Sequence, residues 1–252
     1  IAMQQTLYAR IDKVEIDCDV LMIDEFHISF RTPTMEAVKT KLDPDIIVGL
    51  SGSVMDEKGY ALPDVDVIKT VGVAELTKQG FLSPLKVYSV EFAEEVDLTD
   101  GGAGEYTENF LTKKINTKGY IEGVVQTWKQ IASDRKTIVF ASSIAHSKAL
   151  AAEFKLNGIK ANAYHSGLNK KDSKAIMSDF KNNISQVLVS MNKVLVGFDD
   201  PSITCGIACR PTKTRRVWVQ ASGRLIRILE GKKDAILIDC AQWTREHGFI
   251  EE

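Results

Sequence analysis

The stretch "TIVFASSIAHSKALAAEFKLNGIKANAYH", residues 137–165, decides the fold. It opens on a short run rich in Thr, Ile and Val, which suits a pleated strand. Residues 144–157 then carry apolar side chains at helical spacing, and 159–165 close the unit as a second short strand. Two parallel strands need a crossover of a dozen or more residues, and a helix of this length supplies one. The same alternation runs through the whole chain. Strands are expected at 20–24, 46–52, 86–92, 186–191, 203–209 and 234–240, and helices at 33–41, 116–133, 169–181 and 213–228. Most of the strands are nearly continuous in Val, Ile and Leu, as in a sheet covered on both faces. The fold class is therefore α/β with parallel sheets.

At 252 residues, 44% of them hydrophobic and 26% charged, the chain has the composition of a soluble globular protein with room for two cores. The junction is expected near residue 85, where "GFLSPLK" supplies Gly80 and Pro84, giving domains 1–85 and 86–252. The acidic, glycine-rich "DLTDGGAGEYTE" at 97–108 has no apolar period and reads as a loop. No apolar run approaches a membrane span, and "IAMQQTLYAR" lacks the order of a signal peptide, so a cytosolic location and no membrane partner are expected. Four scattered cysteines without a CxxC pair support neither a disulfide framework nor a zinc site. A net charge of −2 argues against coating nucleic acid by bulk charge. The local run "RPTKTRR" at 210–216 is basic, but such short runs are usually solvated faces.

Four segments carry polar groups that a plain core does not need. "VLMIDEFH" at 20–27 drives an apolar strand into two adjacent carboxylates, and "GLSGS" at 49–53 ends the next strand. Downstream lie "VLVGFDDP" at 194–201 and "VQASGRLIRI" at 219–228. In that order they resemble the motor core of the superfamily 2 helicases. "DEFH" looks like the Asp-Glu box, "GLSGS" like the coupling motif, "VGFDDP" like the Gly-x-Asp motif, and "QASGRLIR" fits Gln-x-x-Gly-Arg-x-x-Arg. Within that family, residues 206–252 resemble the bacterial RadD-type DNA-repair ATPases.

The resemblance implies two RecA-like domains, the first incomplete at its N-terminus, that hydrolyse ATP with Mg²⁺. Asp24 would hold the Mg²⁺ through water, and Glu25 would activate the attacking water. Arg224 and Arg227, three apart on one helix, would act as arginine fingers, with Gln220 placing the γ-phosphate or the water. Asp199, with Gly197 allowing close approach, would meet the nucleotide, while His27 and the serines Ser51 and Ser53 would couple the cleft. A structural histidine and a turn cap are the bland alternatives for the last three. Phe26, Trp128, Trp218 and Trp243 read as packing residues.

The family's grip on the phosphate backbone nominates Gln5, Thr6, Ser142, Ser143, His165, Ser166, Gly167 and Ser190, with Asn192 beside them. The threonine common after Ser190 in the family is Met191 here. DNA, single-stranded or branched, is preferred to RNA through the RadD-type resemblance, and recombination or replication proteins are implied as partners. The phosphate-cradling loop is the piece not found. No G-x-x-x-x-G-K-[ST] occurs, and the only Gly-Lys, at 231–232 in "EGKKD", lacks the first glycine and the hydroxyl. The family places that loop well ahead of the Asp-Glu box. The expectation is accordingly a piece of a larger motor, unable by itself to bind ATP tightly or turn it over. An RNA helicase, a restriction-system motor subunit and a non-hydrolytic nucleic-acid clasp remain as alternatives.

Overall fold

The computed structural model describes residues 2–13, 15–29, 32–51, 65–68, 70–92, 96–102, 104–191 and 198–251, with only the backbone at 27 and 28. Contacts divide the chain into two compact units, Ile1–Lys69 and Thr70–Glu252. The division falls ahead of the junction expected near residue 85. The reason is backbone pairing: Ser83 donates its N–H to Ile226 O at 2.6 Å, Ala235 donates to Pro84 O at 2.8 Å, and Leu82 bridges Arg227. Residues 82–84 therefore belong to the second unit.

In the first unit the chain runs through α1 (Gln4–Arg10), β1 (Val20–Ile23), α2 (Phe26–Ser29), α3 (Pro33–Leu42) and β2 (Ile46–Gly49). Strands β1 and β2 pair in parallel, Val20 opposite Ile46 through Ile23 opposite Gly49. The α3 helix starts where its sequence says it should. Thr32 accepts the N–H of Met35 at 3.3 Å and Pro33 takes the first turn, where a missing N–H costs nothing. The small core of this unit is Ile23, Phe26, Met35 and Val38.

The second unit continues with α4 (Val73–Lys78), β3 (Leu85–Ser89), α5 (Glu108–Ile115), α6 (Lys118–Ile131), β4 (Thr137–Phe140), α7 (Ile144–Leu156), β5 (Ala161–Tyr164), α8 (Lys170–Lys181), β6 (Val187–Ser190), β7 (Cys205–Ala208), α9 (Arg215–Leu225), β8 (Ala235–Asp239) and α10 (Trp243–His247). Its six strands form one sheet in the order β3-β8-β7-β4-β6-β5, and every pairing is parallel. Each expected strand is present and shorter than expected, most often at its C-terminal end.

Period-two alternation divides the strand residues between two cores. Val139, Val187, Val189, Ile236 and Ile238 face one way and meet Leu111, Val124, Trp128, Leu150 and Phe154 of α5, α6 and α7. Ile138, Phe140, Leu188, Ala235 and Leu237 face the other way and meet Phe180, Trp218, Leu225 and Trp243 of α8, α9 and α10. That is why the strands read as unbroken apolar runs. The three tryptophans are buried, as expected, and each indole N–H has an acceptor. Trp128 donates to Thr137 Oγ1 at 2.7 Å, Trp218 to Gly248 O at 3.2 Å and Trp243 to Arg210 O at 2.7 Å. Cys205, Cys209 and Cys240 are reduced and buried. Among the described residues no helix is long and apolar enough to cross a membrane.

Candidate functional site

In the first unit, Asp24 and Glu25 form the turn that leaves β1, and both are exposed. Glu25 sits at φ 48, in the left-handed region that a side chain other than glycine adopts at a cost. Its N–H is taken by Asp24 Oδ1 at 2.9 Å. The next residue, Phe26, donates its N–H to Leu50 O at 3.0 Å, and Leu50 donates to Ile23 O at 2.8 Å. The acidic turn is thus fastened to the segment that leads into exposed Ser51. Gly49 is needed for this approach, because a Cβ there would lie 2.5 Å from the Phe26 ring. Ser53, Gly197, Asn192 and the His27 side chain lie outside the described residues. Gln5 and Thr6 are exposed on the first turn of α1.

The donor chemistry of the acidic turn fits a hydrated Mg²⁺. That ion takes one or two carboxylates plus phosphate oxygens and keeps much of its water. Among the described residues no three His, Cys, Asp or Glu side chains converge into a protein cage.

In the second unit, α9 carries Gln220 and Arg224, both half-buried, but not Arg227. The expectation that both arginines share a helix needs correction, since α9 ends at Leu225. Competing partners end it. Ser83 takes Ile226 O, and Lys232 Nζ takes Leu225 O at 2.6 Å and Arg227 O at 2.9 Å. The same ammonium reaches Pro201 O at 3.0 Å and Ile203 O at 2.7 Å. Burial pulls the Lys232 pKa down to about 8, with nearby Asp200 opposing that pull.

The turn at residues 198–203 meets this end of α9. Arg224 donates to Phe198 O, and Arg227 is ion-paired with Asp199. Beside them Asp200 pairs with Lys136 at 2.9 Å and accepts from the Ser202 hydroxyl and N–H. Burial raises the Asp200 pKa, but these bonds and the lysine charge outweigh it and hold the carboxyl below its usual value. Gly206 of β7 lets α9 lie close, because a Cβ there would fall 2.5 Å from a Leu225 methyl. The structure therefore brings Asp199, Arg224 and Arg227 together.

The proposed backbone contacts fare differently. Ser142 and Ser143 are 3% and 1% exposed. Ser142 Oγ lies 2.9 Å from His146 Nδ1, and Ser143 Oγ caps α7 by accepting the His146 N–H at 3.0 Å. Their hydroxyls do internal work. His165 and Ser190 are buried at the ends of β5 and β6, whereas Ser166 and Gly167 are exposed in the turn after β5. The basic run at 210–216 is tied to the 102–105 segment. Glu105 accepts from Thr212 Oγ1 at 2.6 Å, Thr214 Oγ1 at 2.9 Å and the Lys213 N–H at 3.3 Å, while Lys213 Nζ bonds Gly102 O.

Residues 120–229 match the model of the helicase conserved C-terminal domain. The chain carries a helicase C-terminal domain and is related in sequence to ATP-dependent helicases. This helicase core is 29% identical, over 95% of its length, to the putative ATP-dependent helicase IRC3 of Saccharomyces cerevisiae, and spans 36% of that protein. It is 28% identical over 50% of its length to the ATP-dependent DNA helicase Q1 of Pongo abelii, covering 19% of it. Among solved structures it superposes on a fragment of a putative HsdR subunit of a type I restriction enzyme from Vibrio vulnificus. There the TM-score is 0.74 at 20% identity, over 97% of this chain and 48% of that one, a likeness of fold.

Sequence reasoning did not find Lys232, the Asp200–Lys136 pair or Glu105. For Lys232 the only signal was negative, a Gly-Lys without its phosphate loop.

Proposed function

We propose that this helicase core drives an ATP-dependent motor on nucleic acid, with DNA as its track. Glu25 takes the proton of the attacking water. Arg224 and Arg227 meet the negative charge that develops on the γ-phosphate, and Gln220 orients the phosphate or the water. Asp24 would hold Mg²⁺, which supplies charge neutralisation at the phosphates. Asp199 serves the nucleotide side, and Ser51, hydrogen-bonded through its neighbour Leu50 to the acidic turn, carries the coupling. Ser166 and Gly167 are the backbone-grip candidates left exposed, with Gln5 and Thr6.

The observation that carries this reading is the convergence of Arg224, Arg227 and Asp199, which arrive from two motifs at one place. A pure binder has no use for a water-activating carboxylate together with paired guanidinium groups. DNA is favoured over RNA by the kinship with a protein named as a DNA helicase. A task in DNA repair, recombination or replication rests on the resemblance of residues 206–252 to RadD-type ATPases.

The test is ATP hydrolysis by the full-length protein with single-stranded DNA or RNA added. DNA should stimulate it more than RNA, and Glu25→Gln should lower kcat by about 10² to 10⁴, the span of general-base catalysis. Hydrolysis that survives Glu25→Gln intact would overturn the motor reading.

A further inference from the structure

Lys232 is the one lysine of the chain preceded by glycine, and the phosphate role suggested by such a pair is denied to it. Its Nζ lies 2.6 Å from Leu225 O, 2.7 Å from Ile203 O, 2.9 Å from Arg227 O and 3.0 Å from Pro201 O. An ammonium has three N–H groups, so four acceptors leave none for a ligand. The acceptors fall into two pairs. Leu225 and Arg227 belong to the segment that bears the arginines, while Pro201 and Ile203 belong to the turn that bears Asp199 and Asp200.

The same two segments are also joined by Arg224 to Phe198 O and by Arg227 to Asp199. Those contacts use the guanidinium groups that must turn toward a phosphate in the proposed reaction. Once they let go, the ammonium still holds both segments. It bonds only main-chain oxygens, so no rotation of an acceptor side chain can release it.

We propose that Lys232 is a positioning residue that keeps the arginine segment in register with the 198–203 turn while Arg224 and Arg227 exchange their partners for the γ-phosphate. The proposal rests on the reading of the arginines given above.

The test uses nucleic-acid-stimulated ATP hydrolysis by the full-length protein. Lys232→Met should lower kcat by roughly ten- to a hundredfold, the cost of small misplacement of catalytic groups, with KM for ATP changed less than about twofold. Lys232→Arg keeps a cation with several donors and should recover most of the rate. Because the lysine would act through Arg224 and Arg227 together, adding Lys232→Met to the Arg224→Ala, Arg227→Ala double variant should slow it by no more than about threefold, where independent effects would multiply. Should Lys232→Met fail to fold, Lys232→Gln is measured in the same way.

An unchanged kcat, or losses that multiply in the triple variant, overturns the proposal and leaves the arginine reading standing. An Arg227→Ala variant with normal kcat overturns both.

Discussion

Arg227 and Asp199 stand 28 positions apart in the chain yet form an ion pair that joins the end of the arginine segment to the turn after β6. The pair is open to water, with 37% of the arginine side chain and 70% of the aspartate exposed. Exposed pairs contribute about 0 to 1 kcal/mol. Asp199→Asn should therefore lower the unfolding free energy, measured by denaturant titration, by no more than that contribution, and less in high salt. In the proposed reaction this low cost lets a phosphate take Arg227 from the carboxylate without a large penalty. A loss above about 2 kcal/mol would mean that the pair is part of the fold rather than a resting place for the guanidinium.

Glu25 holds a left-handed backbone immediately after β1. Such strain costs on the order of 1 kcal/mol and persists where a side chain is needed at that point. Glycine pays nothing there. Glu25→Gly should leave the first unit as stable as before or stabilise it by about 0.5 to 1 kcal/mol, while removing the proposed base. Thermal melts paired with hydrolysis assays read both effects. A clear loss of stability would show that the carboxylate itself supports the turn.

His146 is fully buried between Ser142 and Tyr120, and burial depresses its pKa from 6.5 to about 4. A group whose folded pKa is depressed contributes stability that is present above its unfolded pKa and lost as the pH falls through the folded one. The window here runs from pH 6.5 down to about 4. Across it the second unit should lose roughly 3 kcal/mol through this residue. Carboxylates titrate in the same range, so the measurement is a difference: His146→Asn should show a flatter fall in unfolding free energy than the parent between those pH values. Parallel curves would exclude the histidine as the source.

The strands were legible because a sheet buried on both faces leaves no polar position to confuse the pattern, as Val139 and Phe140 show by entering opposite cores. Helix α5 was not. Its eight residues are too few to show a period, whereas the start of α6, where the Thr117 hydroxyl accepts the Tyr120 N–H, falls within two residues of the expected 116. Helix α1 and helix α10 are too short to show a period, and α10 is made by buried Asp239, which accepts the N–H groups of Trp243 at 2.9 Å and Thr244 at 2.8 Å. At the site, the carboxylates of Asp24 and Glu25 could be read because the residues just past a strand end emerge from the sheet into solvent. The departure of Arg227 from the helix could not, since it depends on Ser83 and on Lys232. The inward turn of Ser142 and Ser143 was hidden for a related reason: spacing places a hydroxyl at a strand end but does not say which way it turns. Only the three-residue step from Ser143 to His146 hinted at a cap.

The buried bond from Trp128 Nε1 to Thr137 Oγ1, 2.7 Å long, allows a sharper test of the second unit. Both residues are at most 1% exposed, so neither group has water as a substitute partner. Thr137→Val removes the acceptor and strands an indole N–H in a dry core, which should cost about 1 to 3 kcal/mol. Trp128→Phe removes the donor, while the threonine hydroxyl keeps its own bond to Arg135 O at 2.9 Å, so its cost should come mainly from the volume lost beside Phe154. In the double variant both partners become apolar, and the penalty for an unpaired group disappears. The losses should therefore fall short of additivity by about 1 to 2 kcal/mol in urea unfolding. Strict additivity would mean that the indole finds another acceptor once the hydroxyl is gone, and that this bond does not fix α6 on β4.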